Sequence, residues 1–304
     1  MIYTLGETLM DIIFDSKGHV SATPGGAMLN VSVSLARKKT AVSLISELGD
    51  DVTGFKINNF LKENGVNTEF VSIYPQSNTS LALAFLDENA KPTYNFYKTY
   101  PPKRFLNTNI DFTANDYLLF GSVYSLDEAI RPDIVKIVKA AKGRQAVVVY
   151  DPNIRHVHHL SNGILRKAVY ENMALADIVK GSDEDFANIF GEGNPAFWKS
   201  KIIEINPQTM VIITLGQEGS IIYFQDKKIT IPALMVNVKS TVGAGDAFSA
   251  GLLYKISQLN KSTGSITTDE WRKIINVATH WAASVCASKE NYINPHQLAM
   301  LKLK

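Results

Sequence analysis

Short apolar runs that stop at glycine or aspartate, separated by longer amphipathic stretches, set what this chain can fold into. Residues 2–5 stop at Gly6, residues 117–120 at Gly121 and residues 146–150 at Asp151; residues 42–45, 177–180 and 211–214 are of the same kind. Runs this short and this continuously apolar suit strands covered on both faces. Between them lie helical patterns. Ala27, Leu29, Val31, Val33, Leu35 and Ala36 form one apolar side, opened by a turn at Thr23-Pro24-Gly25-Gly26 and closed by Arg37, Lys38 and Lys39. Residues 54–64 turn Phe55, Ile57, Phe60 and Leu61 inward and stop at Gly65; residues 127–142 stop at Gly143; residues 271–287 form a last long helix. Strand, helix, strand, helix predicts an α/β fold with a parallel sheet and crossover helices in three layers.

One section has a different texture. Residues 80–86 and 93–97 flank the polar stretch 87–92, which reads as a hairpin. With residues 12–14 it predicts a small antiparallel β lid on the main body, built from about 11–24 and 72–101 and ended by Pro101-Pro102. The expectation is a single α/β domain over 1–304 with this lid attached.

The totals narrow the function classes. A net charge of +2, with no long basic run, gives no footprint for nucleic acid. The single cysteine, Cys286, cannot form an internal disulfide or a cysteine-based metal site, which suits a reducing cytoplasm. The N-terminus lacks a basic start, and Glu7 and Asp11 interrupt its apolar run, so no signal peptide is expected. No apolar run approaches a membrane span.

The chemistry concentrates at Gly243-Ala244-Gly245-Asp246. Val236 and Val238 before it read as the end of an extended segment, and a helical run (Ala247, Phe248, Ala250, Leu252, Leu253, Ile256) follows. A helix start leaves N–H groups without intrahelical partners, and with the helix dipole these favour an anion. A carboxylate at the mouth of that site has one fitting role, which is to take a proton from a hydroxyl that attacks a phosphoryl group. The bland alternative is a tight turn followed by an acidic N-cap. Other polar and glycine residues also follow strands: Asp11, Gly25-Gly26, Gly121, Asp151 to Arg155, Ser182 to Asp185, and Gly216 to Gly219. In an open parallel sheet they converge at the carboxyl ends, where ligands bind. Singly, each has a turn or surface explanation. Gly49 to Gly54 has Walker spacing without the lysine, and no Gly-x-Gly-x-x-Gly follows a strand, so Gly243 to Gly245 is the best phosphate cradle.

Gly25-Gly26-Ala27-Met28-Leu29-Asn30-Val31 and Thr241-Val242-Gly243-Ala244-Gly245-Asp246-Ala247-Phe248 resemble the N- and C-terminal signatures of the ribokinase-like (PfkB) sugar kinases. Asp151-Pro152-Asn153-Ile154-Arg155 and residues 214–219 fit in the same order, and Gly6 to Asp11 with Pro24 to Ala27 look most like fructokinases. The resemblance implies a ribokinase-like fold and ATP-dependent phosphorylation of a sugar. Asp246 would be the base, and the backbone N–H groups of Gly243, Ala244 and Gly245 would stabilise the transferring phosphate. Asp11, Gly25, Gly26, Asn30, Tyr97 and Arg155 would hold the sugar. Ser182, Thr214, Gly216, Gly219, Gly245 and Asn291 would border the nucleotide, and Asp185 would reach Mg²⁺ through water. Lid-to-lid homodimers are implied as well, although lid aromatics facing the substrate explain Tyr94, Phe96, Tyr97 and Tyr100 equally well.

There are departures. Ser240 stands where relatives carry an aspartate linked to a monovalent-cation site, so cation activation is open; Asp185 is a shortened glutamate, and Asn291 replaces a glycine near the adenine. Fructose is the first expectation and 2-keto-3-deoxygluconate the runner-up. A sugar acid calls for a fixed cation, and Lys98 stands where sugar-acid kinases tend to place arginine. A non-catalytic sugar-binding relative is the distant alternative. His156, His158 and His159 match no metal-site spacing and read as a solvated loop. Trp198, Trp271, Trp281 and Cys286 read as core.

Overall fold

A computed structural model describes residues 1–15, 17–87, 92–154, 163–259 and 261–300. The main sheet contains β1 (Ile2–Leu5), β4 (Val42–Gly49), β5 (Val71–Tyr74), β8 (Tyr117–Gly121), β9 (Val147–Asp151), β10 (Ile178–Ser182), β11 (Met210–Thr214), β12 (Ser220–Phe224) and β13 (Lys227–Ile231). Their order is β13-β12-β11-β10-β9-β8-β1-β4-β5. From β5 to β11 all pairings are parallel; β12 and β13 close one edge as an antiparallel hairpin.

Alternate residues of each strand feed two cores, as the period of a strand requires. On one face Ile2, Leu44 and Leu119 pack with α1 (Ala27–Arg37), α2 (Val52–Glu63), α7 (Ala244–Leu259) and α8 (Thr268–Cys286), through Leu29, Ile57, Leu253 and Trp271. On the other face Leu5, Phe120, Tyr150 and Val211 pack with α3 (Arg131–Gly143), α4 (Gly163–Leu175), α5 (Asp183–Phe190) and α6 (Pro195–Ile205), through Ile134, Val169, Phe186 and Trp198. A short α9 (Pro295–Met300) packs on α8. The fold is the expected three-layer α/β architecture, and Trp198, Trp271 and Trp281 are buried as expected. Cys286 is only partly buried, at the end of α8.

A second sheet of four strands, in the order β3-β2-β6-β7, stands apart: β2 (Leu9–Phe14), β3 (Val20–Gly25), β6 (Leu81–Leu86) and β7 (Pro92–Tyr97). Its outer pairings are antiparallel, but β2 and β6 run parallel, because the chain crosses the main sheet between them. Residues 71–74, expected to fall largely in the lid, instead form β5 beside β4.

Two local expectations are corrected. Thr23-Pro24-Gly25 is not a turn but the end of β3, with Pro24 opposite Met10. β3 is an edge strand, where proline is tolerated. Residues 232–238 form no strand: Met235 and Val238 are exposed, and an alternating run without a cross-strand partner gains nothing from being extended. Helices α4, α5 and α6 were not anticipated, although Asn194 followed by Pro195 is a legible helix start: the Asn194 side chain accepts from the N–H groups of Ala196 and Phe197.

Candidate active site

The start of α7 is shaped by Gly243. Its φ of 81° is left-handed, and a Cβ there would overlap the Asn291 backbone, so glycine alone fits. Asn291 thus braces the turn from behind. Within the turn the Ala244 N–H donates to the Thr241 carbonyl at 3.2 Å, and Ala247 N–H to the Gly243 carbonyl at 2.8 Å. Asp246 follows in the first helical turn and is buried.

Asp246 meets α1 at a specific contact: Asn30 Nδ2 donates to Asp246 Oδ2 at 2.8 Å. The Asn30 Oδ1 is buried and has no hydrogen-bond partner among the described residues. A buried acceptor left unmatched is costly unless a ligand or water completes it. Asn30 sits one turn into α1, whose N-cap is Gly26. Just before it, a Cβ on Gly25 would overlap the Asp11 carboxylate, so Asp11 on β2 lies directly over the Gly25 backbone. The Asp11–Gly25 contact and the Asn30–Asp246 bond thus bracket the entry of α1, with Gly26 as its N-cap between them. Tyr97, at the end of β7, is half exposed on the lid. Arg155 and the histidines at 156, 158 and 159 lie outside the described residues.

Beneath the α7 start runs a buried charged layer. Lys180 Nζ lies 2.7 Å from Asp151 Oδ2 and 3.3 Å from the Gly245 carbonyl oxygen. Ser249 Oγ donates to the same Asp151 oxygen at 3.0 Å. Burial pushes the Asp151 carboxyl up against the pull of Lys180. Burial works to lower Lys180, yet Asp151 foremost, with Asp185 and Asp246, holds its ammonium above the ordinary range. Neither Lys180 nor Ser249 was singled out from sequence. The available signal was a lysine inside the otherwise apolar run Ile178-Val179-Lys180-Gly181, a placement that demands a buried partner.

Ser182 and Asp185 form a capping box at the start of α5. Ser182 donates its N–H and its hydroxyl to Asp185 Oδ2 at 2.8 and 2.7 Å, and Asp185 N–H returns to Ser182 Oγ at 3.0 Å. No cluster of three or more metal-ligating side chains occurs among the described residues. An ion carried on nucleotide phosphates and water needs none.

Thr214 ends β11 with its hydroxyl on the Gly181 carbonyl at 3.4 Å. Gly216 and Gly219 bound the turn after it, and Gly219 packs on the backbone of Ile231 to Ala233. Pro232, Ala233 and Leu234 line a cavity of about 500 Å³ together with Lys255 of α7 and Lys273, Asn276, Val277 and Thr279 of α8. The Thr279 hydroxyl is buried without a protein partner.

At the base of the lid, Glu7 collects two partners that sequence reasoning missed in part. Tyr100 OH donates to Glu7 Oε1 at 2.9 Å, and Lys98 Nζ pairs with the same oxygen at 3.2 Å. Behind them Arg104 grips buried Glu47 through Nε at 2.8 Å and Nη2 at 3.1 Å, reaches Asp127 at 2.5 Å, and stacks under the Tyr100 ring at 3.7 Å.

The chain matches the model of the pfkB family carbohydrate kinases over residues 1–297. It is 27% identical to a fructokinase of Vibrio alginolyticus, over 92% of this chain and 90% of that one, and 28% identical to an Escherichia coli fructokinase, over 95% and 94%. A Vibrio cholerae O395 fructokinase solved with fructose, ADP and calcium superposes with a TM-score of 0.85 at 24% identity, covering 98% of this chain and 97% of that one. The Pyrococcus horikoshii sugar kinase PH1459 in complex with ATP superposes at 0.79 with 25% identity, covering 99% and 98%. Family match, two-sheet architecture and the Asn30–Asp246 pocket agree: the chain belongs to the pfkB family of carbohydrate kinases.

Proposed function

We propose that this kinase transfers the γ-phosphoryl group of ATP to a hydroxyl of a neutral sugar, with fructose as first candidate and fructose 6-phosphate as its product. The observation that carries the reading is the buried Asp246 at the start of α7, bonded to Asn30 beside the Asp11–Gly25 pocket. Asp11 and Asn30 bind and orient the sugar hydroxyls. Asp246 accepts the proton of the attacking hydroxyl as the oxygen–phosphorus bond forms and ADP leaves. The start of α7 at Gly243 and Gly245 stabilises the phosphoryl charge. Gly216, Gly219 and the cavity lined by Thr279 take the nucleotide base. Asp185 would face Mg²⁺ through water, and the ion would supply charge neutralisation at the phosphates.

A neutral sugar is favoured over 2-keto-3-deoxygluconate because Lys98, the lid cation best placed to meet a carboxylate, is already paired with Glu7. The reading also includes a cytoplasmic enzyme and a homodimer through the lid, whose edge strands β3 and β7 and exposed Phe85, Phe96 and Tyr97 offer an apolar surface. Sedimentation equilibrium at micromolar concentration would give twice the chain mass; a monomer would remove the dimer. The functional reading is tested by ADP release with fructose, 2-keto-3-deoxygluconate and ribose offered in parallel.

A further inference from the structure

We propose that Lys180 is a positioning residue of the phosphoryl-transfer site: its buried ammonium holds the Gly245 carbonyl and fixes a positive charge beneath the start of α7, on which Asp246 depends. This rests on the kinase reading above and adds to it a residue that does not itself contact sugar.

The geometry carries the inference. β10 is a central strand flanked by β9 and β11, and its other side chains need no charge. An ammonium in such a place is strongly unfavourable unless it is paired, because its lost hydration must be replaced. Lys180 has its counterion in Asp151, but an ion pair alone would not need the second contact, to Gly245. That contact lands on the phosphate-cradle turn. Ser249, four residues further along α7, reaches back to the same Asp151 oxygen. Two points of α7, one turn apart, are thereby tied to β9 and β10 through one carboxylate and one ammonium. The start of α7 cannot slide or rotate along the sheet without breaking both.

The charge has a second consequence. Asp246 meets Asn30 from α1 and feels Lys180 from β10, which in turn faces Asp151 on β9 and Asp185 on α5. Further along α7, α8 packs Ala278 and Trp281 at Gly251, which carry no charge. Lys180 sets a positive charge within reach of Asp246. Removing that charge favours the protonated form of Asp246 and weakens it as a base.

The test compares wild type with Lys180→Met, Lys180→Arg and the double variant Lys180→Met/Asp151→Asn. It uses steady-state kinetics with ATP and fructose across pH, and thermal melting. The double variant removes the unpaired buried carboxylate that Lys180→Met leaves, so it separates folding from function. The expected result is a kcat about 100-fold down in the double variant, comparable to losing one preorganised donor. The fructose KM should stay within about threefold and melting should recover towards wild type; in Lys180→Met, which keeps the Asp151 carboxylate, the acidic limb of kcat should move to higher pH. Lys180→Arg, keeping the charge, should recover part of kcat. A double variant with wild-type kcat, or a folded Lys180→Met with an unmoved acidic limb, would overturn the proposal. Wild-type enzyme that releases no ADP with any sugar would bring down the kinase reading, and the proposal with it.

Discussion

Asn30 on α1 and Asp246 on α7 are 216 residues apart in sequence and 2.8 Å apart in space, amide donating to carboxylate. The bond aims one Asp246 oxygen and leaves the Asn30 Oδ1 buried without a protein partner, an acceptor suited to a substrate hydroxyl. Asn30→Asp would set two carboxylates at that distance, and like charges so close cannot both ionise readily. The expected outcome is low activity at neutral pH that rises as pH increases, with the acidic limb of kcat/KM displaced upward by at least about one unit. An unshifted pH profile would mean that the two groups are not coupled.

Gly25 is a second narrow point. Adding one methyl there collides with the Asp11 carboxylate. Gly25→Ala should raise the sugar KM at least about tenfold while leaving the KM for ATP close to wild type, since binding contacts are each worth about 1–3 kcal/mol. Equal changes in both constants would point to general distortion rather than to a displaced Asp11.

Glu7 governs the charge offered to the substrate. Glu7→Gln releases Lys98 from its ion pair while keeping a partner for Tyr100 OH. The ratio of kcat/KM for fructose to that for 2-keto-3-deoxygluconate should fall about 10- to 100-fold, the worth of one charged hydrogen bond. An unchanged ratio would remove Lys98 from specificity.

Arg104 is a matter of stability. Its side chain and that of Glu47 are almost fully buried, and Tyr124 OH also donates to Glu47 at 2.7 Å. Arg104→Met strands the Glu47 carboxylate and should cost about 3–5 kcal/mol, read as a lower urea midpoint. Adding Glu47→Gln should restore part of that loss. A single variant as stable as wild type would mean that water or another group compensates Glu47.

The strands were legible because a buried parallel strand is a largely apolar run, and β8, β9 and β11 read that way, as do β1 apart from Thr4 and the first half of β4 apart from Ser43. Asp246 and Gly243 were legible because a glycine turn before an apolar helix is a local pattern. What was not legible is long-range. Nothing near Lys180 in sequence names Asp151 or Gly245 as its partner, and nothing near Asn30 names Asp246. The lid was foreseen as antiparallel because its hairpin is local; the parallel β2–β6 pairing depends on where the chain returns after crossing the sheet. Residues 235–238 misled because alternation predicts a strand only where an edge is there to receive it. β5 was overlooked because Val71-Ser72-Ile73-Tyr74 alternates like a surface strand, yet it pairs with β4 as the sheet's edge.

The most direct measurement is ADP release from ATP and Mg²⁺ by wild type and Asp246→Asn, with fructose, 2-keto-3-deoxygluconate, ribose and no sugar, alongside calorimetric fructose binding to both. The account predicts sugar-dependent turnover led by fructose in wild type. It predicts a kcat at least about 100-fold lower in Asp246→Asn, as for loss of a general base, with fructose binding largely kept. Near-normal turnover in Asp246→Asn would contradict the assignment of Asp246 as the base on which the whole site is built.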